Sequence, residues 1–228
     1  MPATPFNWRE FDAYLFDIDG TLANTRGGVH YNSFHRALRE VYGCDGRIDP
    51  VPVHGNTDIG ILRAALAYHN QLHDDFEARL PQARALMCAE VAQNAAKLEV
   101  ELCPAIADLL ASLRCEGKLL GVVTGNFEQI GWCKLERGGI RHHFDFGSFS
   151  DQREKREDIF RHGIELARQR RGPDTSVCFV GDTPSDIRAA IHLHMPIIAV
   201  ATGIYAFEEL SQETPTLCVK TCAELLAS

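Results

Sequence analysis

The chain has 228 residues, a formal net charge of −8 and 45% hydrophobic residues. That is enough apolar material for one large core, or a core with an insert, and no run approaches the roughly 20 apolar residues of a membrane span. The carboxylate excess argues against a nucleic-acid surface, which needs clustered Lys and Arg, so neither nucleic acid nor membrane is expected as a partner. Eight cysteines are spread through apolar segments without a C-x-x-C pair, as small core hydrophobes would be. With no basic stretch leading into a long apolar segment in "MPATPFNWREFDAY", the expected compartment is the cytoplasm.

The first apolar run, "AYLFD" (13–17), is short, near-continuous and closed by an aspartate. From 23 to 101 no strand is expected. Three helical stripes occur there instead: Phe34, Ala37, Leu38, Val41 and Tyr42; Ile59, Leu62 and Leu66; Met87, Val91, Ala95 and Leu98. Gly27 and Gly28 suggest a hinge before the first stripe, and the turn signals "GCDGRIDPVP" (43–52) divide the first two. This interval is too long for one crossover helix and too helical for a loop.

After it, helix and strand alternate. Ile106, Leu109, Leu110 and Leu113 predict a helix, "LLGVVT" (119–124) a strand, and Phe160, Ile164 and Ala167 a further helix. The runs "VCFVGD" (177–182) and "IIAVAT" (197–202) complete the set. Apolar strands alternating with amphipathic helices predict an α/β fold, a doubly wound Rossmann-like parallel sheet covered on both faces. The expected organisation is a core of 1–22 and 102–228 with an inserted all-α helical domain over 23–101. Ligands of such sheets bind beyond the carboxyl ends of the strands, where Asp17, Thr124 and Asp182 would all lie.

Asp17 and Asp19 stand two apart at the first strand end, followed by Gly20 and Thr21. An aspartate there can act as a nucleophile if a cation polarises its target. On an ideal strand the two carboxylates would point to opposite faces, so the chain must turn after Asp17; Gly20 supplies the freedom and Thr21 can bond back to the turning backbone. Thr124, Gly125 and Asn126 offer a hydroxyl and successive N–H groups, the donors of an anion site, although an ordinary helix cap has the same composition. Asp182 and Asp186, with Pro184 between them, could hold a hard cation such as Mg²⁺. Lys155 and Arg156, in "DQREKREDIF" (151–160), are both eligible to neutralise Asp17 and a bound phosphoryl oxygen. His69 and His73 have i, i+4 spacing but no nearby third ligand, so a polar helix end is the better reading.

D17-I-D19-G20-T21, T124-G125-N126, a basic residue at 155–156 and G181-D182-T183-P184-S185-D186 resemble, in order and spacing, the motifs of the haloacid dehalogenase-like hydrolases. The chain is most similar to the phosphoglycolate phosphatase-like and β-phosphoglucomutase-like branch with a helical cap, and "HGNTDIGIL" (54–62) resembles a signature of those caps. The resemblance implies that Asp17 attacks phosphorus and becomes an aspartyl-phosphate. Asp19 would protonate the leaving oxygen and then activate water. Thr124, Gly125, Asn126 and Thr21 would bind substrate, Arg156 or Lys155 would supply the motif cation, and Mg²⁺ would be held by Asp17, Asp19, Asp182 and Asp186. Many relatives carry a lysine where "EDIF" (157–160) aligns Glu154 to that cation position.

The expected activity is Mg²⁺-dependent hydrolysis of a small phosphorylated metabolite by a monomer or homodimer. A phosphomutase would use the same aspartate, and a non-catalytic regulatory protein is the remaining reading. Dehalogenases of the family lack a carboxylate at the position of Asp19, because halide departs without a proton.

Overall fold

The structure, a computed structural model, describes residues 6–227. Its centre is a six-stranded parallel sheet: β1 (Ala13–Phe16), β4 (Leu119–Val123), β5 (Phe146–Ser148), β6 (Val177–Gly181), β7 (Ile197–Val200) and β8 (Leu217–Val219), in the order β5-β4-β1-β6-β7-β8. The remaining strands, β2 (Ala23–Arg26) and β3 (Glu99–Leu102), pair only with each other, antiparallel. Strand β1 is buried along its whole length because alternate residues serve opposite faces. Tyr14 and Phe16 join one apolar cluster, which includes Leu109, Leu113 and Leu225 from α4 (Ile106–Cys115) and α9 (Cys222–Leu226). Ala13 and Leu15 join another, with Phe160, Ile187 and Leu210 from α6 (Arg156–Arg171), α7 (Pro184–His192) and α8 (Phe207–Gln212). The sheet is therefore covered on both faces, as the alternating pattern predicts.

Register sets the site. Phe16 pairs with Val122 of β4 and with Val180 of β6. Asp17, Thr124 and Asp182 consequently leave three neighbouring strands within two residues of one edge. The opposite end of β1 is also fixed: the Ser176 N–H and hydroxyl donate to Asp12 Oδ2 at 2.9 and 2.6 Å, and the Asp12 N–H donates back to the Ser176 hydroxyl at 3.0 Å.

Helices α1 (Val29–Tyr42), α2 (Asp58–Tyr68) and α3 (Phe76–Gln93) occupy the interval between β2 and β3 and share a third apolar cluster. Phe127 and Ile130, from the start of α5 (Glu128–Arg137) in the sheet portion, also belong to it. Helix α1 begins at Gly28, whose φ of 68° and that of Gly27 at 88° are left-handed values that favour glycine.

Two expectations about this interval need correction. Strands do occur there: β2 and β3 pair from Ala23↔Leu102 to Arg26↔Glu99, forming a two-stranded neck at both crossings. Their sequences, "ANTR" and "EVEL", are short and half-exposed, so no apolar run announces them. The third helical stripe also stops early. The Asn94 side chain donates to the Glu90 carbonyl at 3.0 Å, the chain tightens to a 3₁₀ turn at Ala95–Lys97, and Leu98 lies beyond the helix. His69 and His73 share no helix, since α2 ends at Tyr68; the His69 ring instead accepts the Arg47 N–H at 3.1 Å. Among the described residues no helix is long and apolar enough to cross a membrane.

The Ser176 hydrogen bonds, foremost that from its side chain, hold the Asp12 carboxyl below its ordinary 3.8. A depressed carboxyl stabilises the fold above the unfolded-state value and loses that contribution as pH falls through the folded one. Asp12→Ala should therefore lower the unfolding free energy by about 1 kcal/mol at pH 7. In urea denaturation the difference from wild type should shrink once pH drops below 3.8.

Candidate active site

Asp17 is the first residue past β1, and its N–H still donates to the Val180 carbonyl at 3.0 Å. The chain then wraps around one carbonyl oxygen: the N–H groups of Leu22 and Ala23 donate to Ile18 O at 2.9 and 3.0 Å. Gly20, at φ 85°, makes this turn possible. Its lack of a side chain matters equally, since a Cβ there would lie 2.1 Å from Asp182 Oδ2. Gly203 flanks the same oxygen, where a Cβ would come within 1.8 Å. Asp182 thus sits in a slot that two glycines keep open.

Thr21 does not bond back to the turn through its hydroxyl, as the sequence suggested. That hydroxyl donates to Asp182 Oδ1 at 3.0 Å, and Thr21 is fully buried behind the pocket. It orients a carboxylate and does not line the substrate cavity.

Asp17, Asp182 and Asp186 are all buried, and one carboxylate oxygen of each lies within 4.8 Å of the others. Arg156 joins this group. Its Nη2 lies 2.8 Å from Asp17 Oδ2 and donates to Asp186 Oδ1 at 2.5 Å, while Nε donates to the same Asp186 oxygen at 2.8 Å. The other Asp186 oxygen accepts the Thr183 hydroxyl and N–H at 2.7 and 3.1 Å, closing a capping box at the start of α7. Both oxygens of Asp186 are therefore engaged. Of the two candidate cations only Arg156 reaches the cluster; Lys155, the residue before α6, is exposed, and that assignment is corrected. Glu154, aligned to the lysine of many relatives, binds Arg63 of α2 through both carboxylate oxygens, at 2.8 to 3.0 Å, and ties the helical insert to the sheet portion.

Asp19 turns to a second cation, one that the sequence reading missed. Lys134 on α5 is 2% exposed, and its Nζ donates to Asp19 Oδ1 and Oδ2 at 2.8 and 2.7 Å and to Asn126 Oδ1 at 2.7 Å. The Asn126 amide donates to Asp19 Oδ2 and to the Thr124 hydroxyl, both at 2.8 Å, so Thr124, Asn126, Lys134 and Asp19 form one chain of contacts. The available signal was periodicity: Lys134 follows buried Ile130 by four residues, on the face of α5 turned to the protein. Residues 125–126 do not open that helix directly, because Phe127 intervenes and donates its N–H to Asp58 Oδ2 at 2.8 Å. Asp58 also donates its own N–H to the Gly125 carbonyl at 2.7 Å. A residue of the insert thereby clamps both sides of the Thr124 loop.

The electrostatics divide the pair of aspartates. Burial pushes Asp17 up to about 6, an effect opposed by Arg156 and reinforced by Asp186 and Asp19. For Asp19 burial acts in the same direction, but Lys134 and Asn126 outweigh it and hold the carboxyl below its usual range. Burial together with Asp17 and Asp186 raises Asp182 well above 3.8. Four carboxylates thus converge around two cations, and the shortfall in positive charge is concentrated at Asp17 and Asp182. Closely spaced, desolvated oxygen donors of this kind suit a hard divalent cation. The cluster opens into a cavity of about 250 Å³, lined from the sheet side by Asp17, Asp19, Thr124, Asn126, Lys134 and Arg156.

The fold and these strand ends define a doubly wound α/β protein built to concentrate cations and anions at one sheet edge. A sequence profile of the haloacid dehalogenase-like hydrolases matches residues 14–200, and the chain belongs to that family. It is 26% identical over 233 residues to the "Probable phosphatase IndB" of Dickeya dadantii (strain 3937), covering 94% of this chain and 91% of that one. It is 25% identical over 226 residues to the phosphoglycolate phosphatase of Synechococcus elongatus, covering 94% and 95%. The crystal structure of CbbY from Rhodobacter sphaeroides in complex with phosphate superposes with a TM-score of 0.68 at 22% identity, over 94% of this chain and 96% of that one, and shares the fold. Within the family the chain groups with the phosphatases.

Removing one charge from the cluster should relieve repulsion. A carboxyl raised on folding disfavours the folded state when it is ionised at neutral pH. Asp182→Asn should therefore raise the melting temperature in chelator-treated buffer at pH 7.5, by about 2–4 °C for each kcal/mol relieved. A lower melting temperature would mean that the carboxylate contributes more through its hydrogen bond than it costs in charge.

Proposed function

We propose that the protein is a Mg²⁺-dependent phosphatase that hydrolyses a small phosphate monoester through an aspartyl-phosphate on Asp17. The observation that carries this reading is the buried trio Asp17, Asp182 and Asp186 with Arg156 at the ends of β1 and β6, of which Asp17, Asp182 and Arg156 line the cavity. Phosphoryl transfer requires positioning and charge neutralisation more than elaborate covalent chemistry; this floor offers the positioning, and oxygen donors for a cation that would supply the neutralising charge.

Asp17 attacks phosphorus, and the bond to the leaving oxygen breaks. Asp19, two residues on and facing the cavity, gives that oxygen a proton it takes up when the phosphoryl charge beside it raises the carboxyl from its depressed value, then takes one from the water that opens the acyl-phosphate. Thr124 presents its hydroxyl, and Gly125 its main-chain N–H, to the phosphoryl oxygens, while the Asn126 side chain links Thr124 to Asp19. Lys134 holds Asp19 on the substrate side of the turn, and Asp186 holds Arg156 beside Asp17. The carboxylates of Asp17 and Asp182 and the main-chain carbonyl of Asp19 would be the oxygen donors for Mg²⁺. When bound, the ion supplies the positive charge the cluster lacks and offsets that of the phosphoryl group. Residues 23–101 act as a cap whose closure excludes water during transfer.

Hydrolysis of a panel of phosphate monoesters, with and without Mg²⁺, tests this reading, and release should vanish in excess chelator and return with Mg²⁺. Asp17→Asn should lose at least about 10³-fold in kcat. Asp19→Asn should lose about 10²–10⁴-fold on alkyl esters, and less on p-nitrophenyl phosphate, whose leaving group needs no proton. Full activity of Asp17→Asn would refute the proposal, and transfer of the phosphoryl group to a second hydroxyl without free phosphate would favour a mutase.

A further inference from the structure

The cavity has two unlike walls. The sheet side carries the charged groups described above. The side formed by the helical insert carries Val29 and Phe34 of α1, Ile48 and Val53 of the following loop, and Ile61 of α2. Four of these are buried, with exposures of 3–6%, and Val53 is half-buried. The His30 ring lies 5.0 Å from that of Phe34, tilted by 32°. Its Nε2 is buried without a hydrogen bond, although it lies 3.2 Å from Asp58 Oδ1.

The permanent cations inside the cavity are paired, and the His30 and His54 rings are the other groups of the lining that can carry positive charge. Its carboxylates are Asp17, Asp19, Asp58 and Asp182, against three permanent cations, Arg26, Lys134 and Arg156. Lys134 is held by Asp19, and Arg156 by Asp17 and Asp186. Arg26 stands at the exposed rim, 3.1 Å from Glu101. Inside the cavity no permanent cation of the lining is left unpaired to receive a second anionic group. A carboxylate or second phosphate placed there would lose its hydration beside Asp58 with only the His30 and His54 rings, and no unpaired permanent cation, to compensate it. An apolar body would gain by leaving water.

We propose that the alcohol released by this enzyme is uncharged and carries an apolar ring or branched chain, seated on Val29, Phe34, Ile48, Val53 and Ile61. This rests on the phosphatase reading above and narrows its substrate class. Phosphorylated carboxylic acids and bisphosphates are disfavoured. A cavity of about 250 Å³ accommodates a phosphoryl group with a body the size of a single ring. The buried His30 Nε2 is available to one hydroxyl or carbonyl on that body.

The test compares kcat/KM of the full chain with Mg²⁺ for acetyl phosphate, benzyl phosphate, 2-phosphoglycolate and xylulose 1,5-bisphosphate. Acetyl phosphate makes almost no demand on the apolar wall and reports the transfer chemistry alone. Benzyl phosphate is expected to exceed both multiply charged esters by at least about tenfold, the discrimination that a modest difference in burial supplies. Val53→Lys, which adds a cation at the half-buried edge, should shrink the preference over 2-phosphoglycolate by a similar factor. Turnover of acetyl phosphate with preference for 2-phosphoglycolate or the bisphosphate would overturn the substrate inference and leave the phosphatase reading intact. Failure to hydrolyse any of the four would overturn both.

Discussion

Four carboxylates meet around two cations at the ends of β1 and β6, and much of the surrounding structure exists to make that meeting possible. A buried acidic cluster costs stability unless each charge finds a partner. Here the partners are specific: Lys134 for Asp19, Arg156 for Asp17 and Asp186, and the Thr21 hydroxyl for Asp182. What they leave unbalanced lies at Asp17 and Asp182, the two carboxylates displaced upward by burial and by neighbouring carboxylates, Asp186 among them in both cases. A divalent cation bound there would relieve that imbalance.

The scaffold maintains this arrangement by fixing register and removing bulk. Parallel pairing of β1 with both β4 and β6 brings three polar strand ends to one edge. Gly20 and Gly203 allow the Asp182 carboxylate an approach that any Cβ would obstruct. The helical insert reaches this edge through Asp58, which bonds to Gly125 and Phe127, and through Arg63 on Glu154. The wall that would recognise a leaving group is thus tied to the loop that would hold its phosphoryl oxygens.

The strands of the sheet core were legible where burial on both faces forces near-continuous apolar runs, as in 13–17, 119–124, 177–182 and 197–202. The acidic and hydroxylic residues closing those runs were legible too, because charged strand ends need a reason. Strands β2 and β3 were not, since a half-exposed neck needs no apolar pattern, and β5 and β8 are only three residues each. Lys134 was missed because a lysine on an amphipathic helix ordinarily faces water; here Asp19 and Asn126 compensate it from the turns at two other strand ends. Sequence left Lys155 and Arg156 open, whereas the start of α6 turns Arg156 inward and leaves its neighbour exposed. The double use of Asp186, on Arg156 and on Thr183, depends on a contact across 30 residues of sequence that spacing alone does not reveal.

The central claim is that Asp17, and no other group, carries the phosphoryl intermediate. Acid quenching during turnover of a phosphate monoester, followed by peptide mass spectrometry, addresses it directly. The account predicts a phosphoryl adduct on the peptide containing Asp17, sensitive to hydroxylamine and absent from Asp17→Asn. An adduct on a different residue, or phosphate release at an undiminished rate from Asp17→Asn, would contradict it.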